Sequence, residues 1–350
     1  MAKKNGREEK LNYGAALKEL RERGPERLYL LWGPEDYLRE QYFSELKALC
    51  FPGGEEGFSY RRMDGPELDA EALQNAVDAA PFMTERSLVE LRGVDINRLK
   101  EPERIISVLS DIPDYCAVVF VQSAEYEPDG RMKLVKALRS SAREIKFTSQ
   151  PQSLLTGWIV KRFAAAGKSV EPEAAQRLTF ISGELMNRLI PEIDKVAAYT
   201  AGDRVTVADV DAVASHIPEA EIFEMTDKIA SREYDEAAAI LAELMANRAN
   251  EPIPMLAMLG MQMRRLYAAR LAIEQGLGAK YVMEVCSSKS DYYAGRLLSA
   301  AKGYTLAQLR RAVELCAETD YRIKSSSEDD RELLKEAVMR IAAGETDAQR

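Results

Sequence analysis

Histidine is almost missing from this sequence: His216 is the only one in 350 residues. A serine or cysteine triad would have to be built around that single imidazole, and no nucleophile elbow lies near it, which sets most histidine-assisted nucleophilic mechanisms aside. The four cysteines, Cys50, Cys116, Cys286 and Cys316, are scattered and form no C-x-x-C pair, so a zinc site is not expected. Long hydrophobic runs are absent too. No stretch reaches the length needed to cross a bilayer, and the polar segment Met1 to Lys10 lacks the apolar core of a secretory signal. The reading is a cytoplasmic protein with a frayed start and no membrane contact. Positive charge is in deficit. The net charge of −9 repels phosphate backbones, so any DNA contact is expected to be local or to depend on assembly.

What is present is the balance of a globular protein, with 46% hydrophobic and 30% charged residues, and a length that calls for two or three domains. The run Leu28 to Trp32 is short, apolar and stopped by Gly33-Pro34, as a buried strand should be. A helix is expected from Asp36 to Leu49. Strand-like and helical stretches then alternate: strand Phe58 to Met63, helix Glu67 to Ala79, strand Ser87 to Leu91, helix Glu103 to Ser110, strand Ala117 to Val121, helix Arg131 to Arg139 and strand Glu144 to Phe147. Such alternation predicts an α/β domain with a parallel sheet over residues 1–150. Past Pro151 the strand patterns stop. Helices near Ser153 to Ala166, Pro172 to Ile181, Glu184 to Thr200 and Thr206 to Ser215 predict a small all-α domain over 151–216. A break at His216-Ile217-Pro218 opens a second helical domain over 217–350. Its helices are expected near Ile222 to Ser231, Tyr234 to Arg248, Ile253 to Gln275, Lys289 to Lys302, Leu306 to Lys324 and Asp329 to Ala343. Thr305 and Gln308 fit a capping box.

Strand, glycine, short loop and helix is the setting of a phosphate-binding P-loop, whose backbone N–H groups and helix N-terminus cradle phosphates. Residues Gly33 to Glu40 have the setting without the chemistry. With Gly33 as the first glycine of G-x-x-x-x-G-K-[ST], Leu38 replaces the second glycine, Arg39 the lysine and Glu40 the magnesium-binding hydroxyl. Glu35 and Asp36 would also repel a triphosphate. The neighbouring strand ends in Arg92 where a working nucleotidase places a metal-binding acid; Glu90 and Asp95 do not restore an acidic pair. This loop is expected not to bind ATP, and no cofactor is implied.

At this point three segments resemble a family. Tyr29-Leu30-Leu31-Trp32-Gly33-Pro34-Glu35-Asp36-Tyr37-Leu38 is similar to the opening signature of the delta subunit of DNA polymerase III, Pro81 to Val89 to its second signature, and Glu192 to Ala197 to a helix in its middle. Their order and spacing run from Leu28 to Ala343. The resemblance implies an AAA+-like N-terminal domain, a small helical lid domain and a C-terminal helical collar bundle. It implies a non-catalytic accessory subunit of a DNA-directed DNA polymerase, a nucleotidyltransferase complex, in which this chain binds the sliding clamp (the beta subunit) and opens it or traps it open. The implied partners are the gamma or tau and delta-prime subunits, with primed DNA met through the assembled loader. The Ser-Arg-Cys triplet of the loader's arginine-finger subunits is absent, which argues against delta-prime or gamma.

Family members insert a hydrophobic pair into a pocket on the clamp. Phe82 matches the aromatic of that pair, Met83 follows it, and Pro81 takes the place of the preceding aliphatic residue. The competing reading is that Phe82 packs internally against Leu73 or Val77, since an apolar residue beside a strand is normally core. Met255, Met258, Met261 and Met263 read as the buried centre of the last bundle, and Arg264-Arg265 and Arg310-Arg311 as solvated pairs. Two other function classes stay open on the residues alone: an ATPase with an unusual nucleotide loop, and a helical nucleic-acid-binding regulator.

Overall fold

The apolar run Leu28–Trp32 forms β1, buried along its whole length, and Cys116–Val121 forms β4, equally buried beside it. Both lack the polar alternation of a one-sided sheet because helices cover both faces. The computed structural model describes residues 13–54, 56–288 and 290–346, so the polar start and Lys289 lie outside the described residues. It divides into two compact units.

The first unit comprises the chain to Ser149 together with Leu185–Asn187. After α1 (Tyr13–Arg23) and β1, the chain runs through α2 (Asp36–Cys50), β2 (Tyr60–Asp64), α3 (Ala70–Asp78), β3 (Ser87–Arg92), α4 (Pro102–Ser110), β4, α5 (Lys133–Ser141) and β5 (Arg143–Lys146). The five strands are parallel in the order β2-β3-β4-β1-β5. One face carries Leu30, Val89, Val118 and Phe120 against Leu73 and Val77 of α3, Ile105 and Leu109 of α4, and Leu134 and Leu138 of α5. On α2, Tyr42 stacks at tilted angles between Tyr29 and Phe147. The edge strands β2 and β5 are only half-buried.

Two of the boundaries that differ from expectation in this unit have a visible cause. The strand begins at Tyr60 rather than Phe58, because Gly57–Ser59 closes a single 3-10 turn. Helix α3 begins at Ala70, where the Asp69 carboxylate accepts the Ala72 N–H at 2.9 Å and caps it.

The second unit contains residues 150–184 and 188–346. Among its described residues it is helical apart from a two-residue parallel pair, β6 (Ser169–Val170) with β7 (Arg204–Val205), too short to leave a pattern in the sequence. The elements are α6 (Gln152–Ala165), β6, α7 (Pro172–Ser182), α8 (Met186–Tyr199, whose first two residues belong to the first unit), β7, α9 (Val207–Val213), α10 (Pro218–Ala230), α11 (Tyr234–Ala246), α12 (Pro252–Glu274), α13 (Ala279–Val285), α14 (Asp291–Ala301), α15 (Leu306–Ser325) and α16 (Asp330–Ala342). Helix α12 runs through the core of this unit, with Met255, Leu256, Leu259, Met263 and Leu266 buried; Met261 is exposed and departs from the expected buried methionine set.

The pair Arg310-Arg311 is not uniformly solvated. Arg311 is 0% exposed, its guanidinium bound to Glu318 at 2.9 and 3.0 Å and to Glu345 at 3.0 and 3.1 Å, while Arg310 is exposed. The two carboxylates supply the partners that a buried guanidinium requires. Arg265 also finds a partner, donating to the Tyr293 hydroxyl at 3.0 Å. Among the described residues no helix is long and apolar enough to cross a membrane, and no group of three or more His, Cys, Asp or Glu side chains could hold a metal ion.

Candidate functional site

The loop after β1 occupies the phosphate-loop position, and its own side chains fill it. Gly33 adopts φ 116°, open to glycine almost alone, and a Cβ there would lie 2.3 Å from the Phe147 carbonyl oxygen. The glycine therefore serves the close passage of the chain after β5, where Phe147 N–H donates to Trp32 O at 2.8 Å and Glu35 N–H donates to Phe147 O at 3.2 Å. Leu38 is a core residue of α2. Arg39 turns inward: one guanidinium nitrogen donates to Gly33 O at 2.6 Å and another to the Asp36 carboxylate, so its charge is committed within the loop.

Glu40 stands where the magnesium-binding hydroxyl would be, and Arg92 ends the neighbouring strand β3 where the metal-binding acid would be. The two meet as a bidentate ion pair at 2.7 and 3.0 Å. Arg92 also donates to the buried Glu90 at 2.6 Å, and these carboxylates, Glu40 foremost, hold its guanidinium more firmly protonated than usual. Asp95 accepts the Tyr126 hydroxyl at 2.7 Å and the Asn97 N–H at 3.2 Å. Position by position, an arginine stands where a magnesium-binding carboxylate would be needed, and an already paired carboxylate stands where the hydroxyl would be.

Glu35 is 0% exposed, and its two carboxylate oxygens accept the Met186 N–H at 3.2 and 3.3 Å within the first unit. Burial pushes its carboxyl up to about 7, with adjacent Asp36 adding to the effect and the Met186 N–H opposing it. An internal carboxylate thus sits in the loop that would otherwise receive a phosphate.

The second candidate is the turn between α3 and β3. Ala79 ends α3 in extended backbone, and Pro81 keeps the preceding residue out of the helical region. Phe82 is 63% exposed and Met83 83% exposed, so the internal packing considered for Phe82 does not occur, while Leu73 and Val77 are fully buried without it. Pro81 is half-buried behind them. Met83 has φ 60°, uncommon for a residue with a side chain, and the turn is held from below by hydrogen bonds. The partner is Ser59, whose Oγ accepts the Phe82 N–H at 2.9 Å, donates to Phe82 O at 3.2 Å and lies 2.6 Å from Thr84 Oγ1.

Gly33 in the loop after β1 and Leu38, Arg39 and Glu40 in the first turns of α2 form one stretch, and Pro81, Phe82 and Met83 one turn, as their spacing in the sequence requires. Arg92 reads in the sequence only as the loss of an acid, and nothing there marks Ser59. Only the strand order, which places β3 and β2 side by side, brings these residues to the loops they serve.

A parallel sheet ordered 2-3-4-1-5 between helices, with the loop after its first strand occupied by the contacts of Arg39 and Glu40, makes the first unit an α/β domain of the kind expected. The comparisons give the family. Residues 29–148 match the family model described as DNA polymerase III, delta subunit, and residues 219–341 match the model for the C-terminal domain of that same subunit. DNA polymerase III subunit delta of Bacillus subtilis is 27% identical over 90% of this chain and 92% of its own length. The probable DNA polymerase III subunit delta of Aquifex aeolicus is 22% identical over 89% of this chain and 90% of its own. A solved structure, the Bacillus subtilis DNA clamp loader delta protein, superposes with a TM-score of 0.50 at 22% identity, covering 95% of this chain and 100% of that one, and shows the shared fold. The chain belongs to the DNA polymerase III delta family.

Proposed function

We propose that this chain is the clamp-contacting arm of a bacterial clamp loader: it binds the sliding clamp, the beta subunit, and opens the ring or traps it open for loading onto primed DNA. The observation that carries the reading is the pair Phe82 and Met83, two large apolar side chains left in solvent on a pinned turn, where a protein normally exposes such a pair only to meet a partner. Pro81 stiffens the approach to them. Two exposed side chains on a turn suit insertion into an apolar pocket, since little order is lost on binding.

Mechanical rather than catalytic work follows from the loop after β1. Arg39 is tied to Gly33 and Asp36, and Glu40 to Arg92, so binding a nucleotide would require breaking three charged contacts and burying a phosphate beside Glu35. ATP control of the loader is therefore assigned to its other subunits, gamma or tau and delta-prime, in the cytoplasm. Residues 151–216 act as the lid and 217–350 as the collar through which those subunits assemble, and primed DNA is met by the assembled loader.

The test is to titrate the purified chain alone with its cognate clamp, and separately with ATP, by calorimetry. Saturable clamp binding without nucleotide and no saturable ATP binding are the expected results. Micromolar ATP binding would favour the ATPase reading, and failure to bind the clamp would remove the arm.

A further inference from the structure

Phe58 is 79% exposed, and nothing in the established family membership accounts for it. It lies in the one-turn 3-10 helix Gly57–Ser59, directly before the serine that holds the Phe82 turn. Ser59 is completely buried, and its single oxygen serves three atoms of that turn: the Phe82 N–H, the Phe82 carbonyl and the Thr84 hydroxyl. Thr84 in turn lies 2.9 Å from the Arg86 carbonyl, which ties the far side of the turn to the start of β3. Two segments more than twenty residues apart are thus fastened at one hydroxyl, and each carries its large apolar side chains outward.

We propose that Phe58, Phe82 and Met83 form one contact surface of three side chains on two segments, and that Ser59 is the positioning residue that holds them in register. The proposal rests on the reading of Phe82 and Met83 as the clamp contact, and it commits to the same occupant, an apolar pocket on the clamp ring. Three large apolar side chains are exposed on two short segments fastened together at Ser59, and apolar side chains grouped in this way mark an interface more often than singly scattered ones do. The positive φ of Met83 adds a reason for the serine. Such a turn persists only when its surroundings over-determine it, and here the two backbone bonds to Ser59 do so on the residue immediately before. Without them Phe82 and Met83 would remain exposed but lose their fixed direction, and the ordering would have to occur on binding.

The experiment measures clamp affinity and thermal midpoint on the full chain for Phe58→Ala, Phe82→Ala, Ser59→Ala and the Ser59→Ala/Phe82→Ala pair. Phe58→Ala is expected to weaken binding by about fivefold or more at an unchanged midpoint, as a truncated interface residue does. Ser59→Ala is expected to weaken binding by a comparable factor, and that factor should become clearly smaller once Phe82 is already alanine, because much of what the hydroxyl positions is then gone. A serine with a merely structural role would give the same loss in both backgrounds, and that result would overturn the positioning assignment. Wild-type affinity in Phe58→Ala, alongside weakened Phe82→Ala, would overturn the three-residue surface while leaving the Phe82 contact standing. Wild-type affinity in Phe82→Ala would instead remove the clamp reading on which the inference rests.

Discussion

Glu35 shows how far a single residue departs from what its neighbours in sequence suggest. As the second residue after Gly33 it reads as an acidic helix start, yet its carboxylate is wholly buried and accepts the N–H of Met186, 151 residues away. Its proton affinity is raised from an ordinary value of 4.5 to about 7, so between those values the folded chain holds a proton that the unfolded chain has released. Stability from this group is therefore greatest below pH 4.5 and is lost as pH rises through about 7, by on the order of 1–3 kcal/mol. Glu35→Gln keeps an acceptor for Met186 and removes the titration. Urea denaturation at a series of pH values should show a flatter profile for the variant across this window; identical profiles would mean that Glu35 is solvated. Arg311 carries the same lesson. Its partner Glu318, seven positions on, lies along one helix, but Glu345 comes from beyond α16, and a sequence has no marker for that return. Likewise Leu38, Arg39 and Glu40 are legible as lost phosphate-binding positions, whereas the pairing of Glu40 with Arg92 depends on the placement of β3 beside α2.

At the scale of elements, legibility tracks the strength of the local pattern. The strands β1 and β4 are uninterrupted apolar runs and stand out, as do the long helices α12 and α15. Strand β2 reads two residues too early because Phe58 looks like strand, while Gly57 and the buried hydroxyl of Ser59 favour a turn. Helices α1 and α13 are not anticipated by the pattern: α1 buries only Ala16 and Leu20, and α13 buries only Val282, too little for a periodic signal. The capping box at Thr305 is legible from its spacing and is formed in both directions, Gln308 N–H to Thr305 Oγ1 at 3.2 Å and Thr305 N–H to Gln308 Oε1 at 2.9 Å. A second box, Thr206 with Asp209 on α9, escapes because aspartate replaces the expected longer acid. Thr305→Ala should cost about 1 kcal/mol. The check is a lower urea midpoint with an unchanged slope, and an unchanged midpoint would mean that the cap contributes nothing to α15.

At the scale of the whole molecule the proposed labour is divided between parts of the chain: contact with the clamp in the α/β unit, assembly with the other loader subunits in residues 217–350. A chain truncated after residue 216 should therefore lose association with the gamma or tau and delta-prime subunits in gel filtration and keep its clamp affinity; loss of both in a fragment with native circular dichroism would count against the division. The α/β class and the helical remainder are legible from the change of pattern at Pro151, and the position of the turn carrying Phe82 from the proline before it. Whether Phe82 faces core or solvent is not, because an apolar residue beside a strand satisfies either reading until the packing around Leu73 and Val77 is complete without it. The measurement that bears most directly on the central claim is clamp affinity and thermal midpoint on one variant, Phe82→Ala, with Met83→Ala as its companion. Truncating an anchor that fills a pocket costs about 2 kcal/mol or more, so affinity should fall at least about thirtyfold. The midpoint should stay at the wild-type value, since the side chain is already in solvent. Undiminished affinity, or weak binding accompanied by a large fall in the midpoint, would contradict the account and move the clamp contact to another part of the chain.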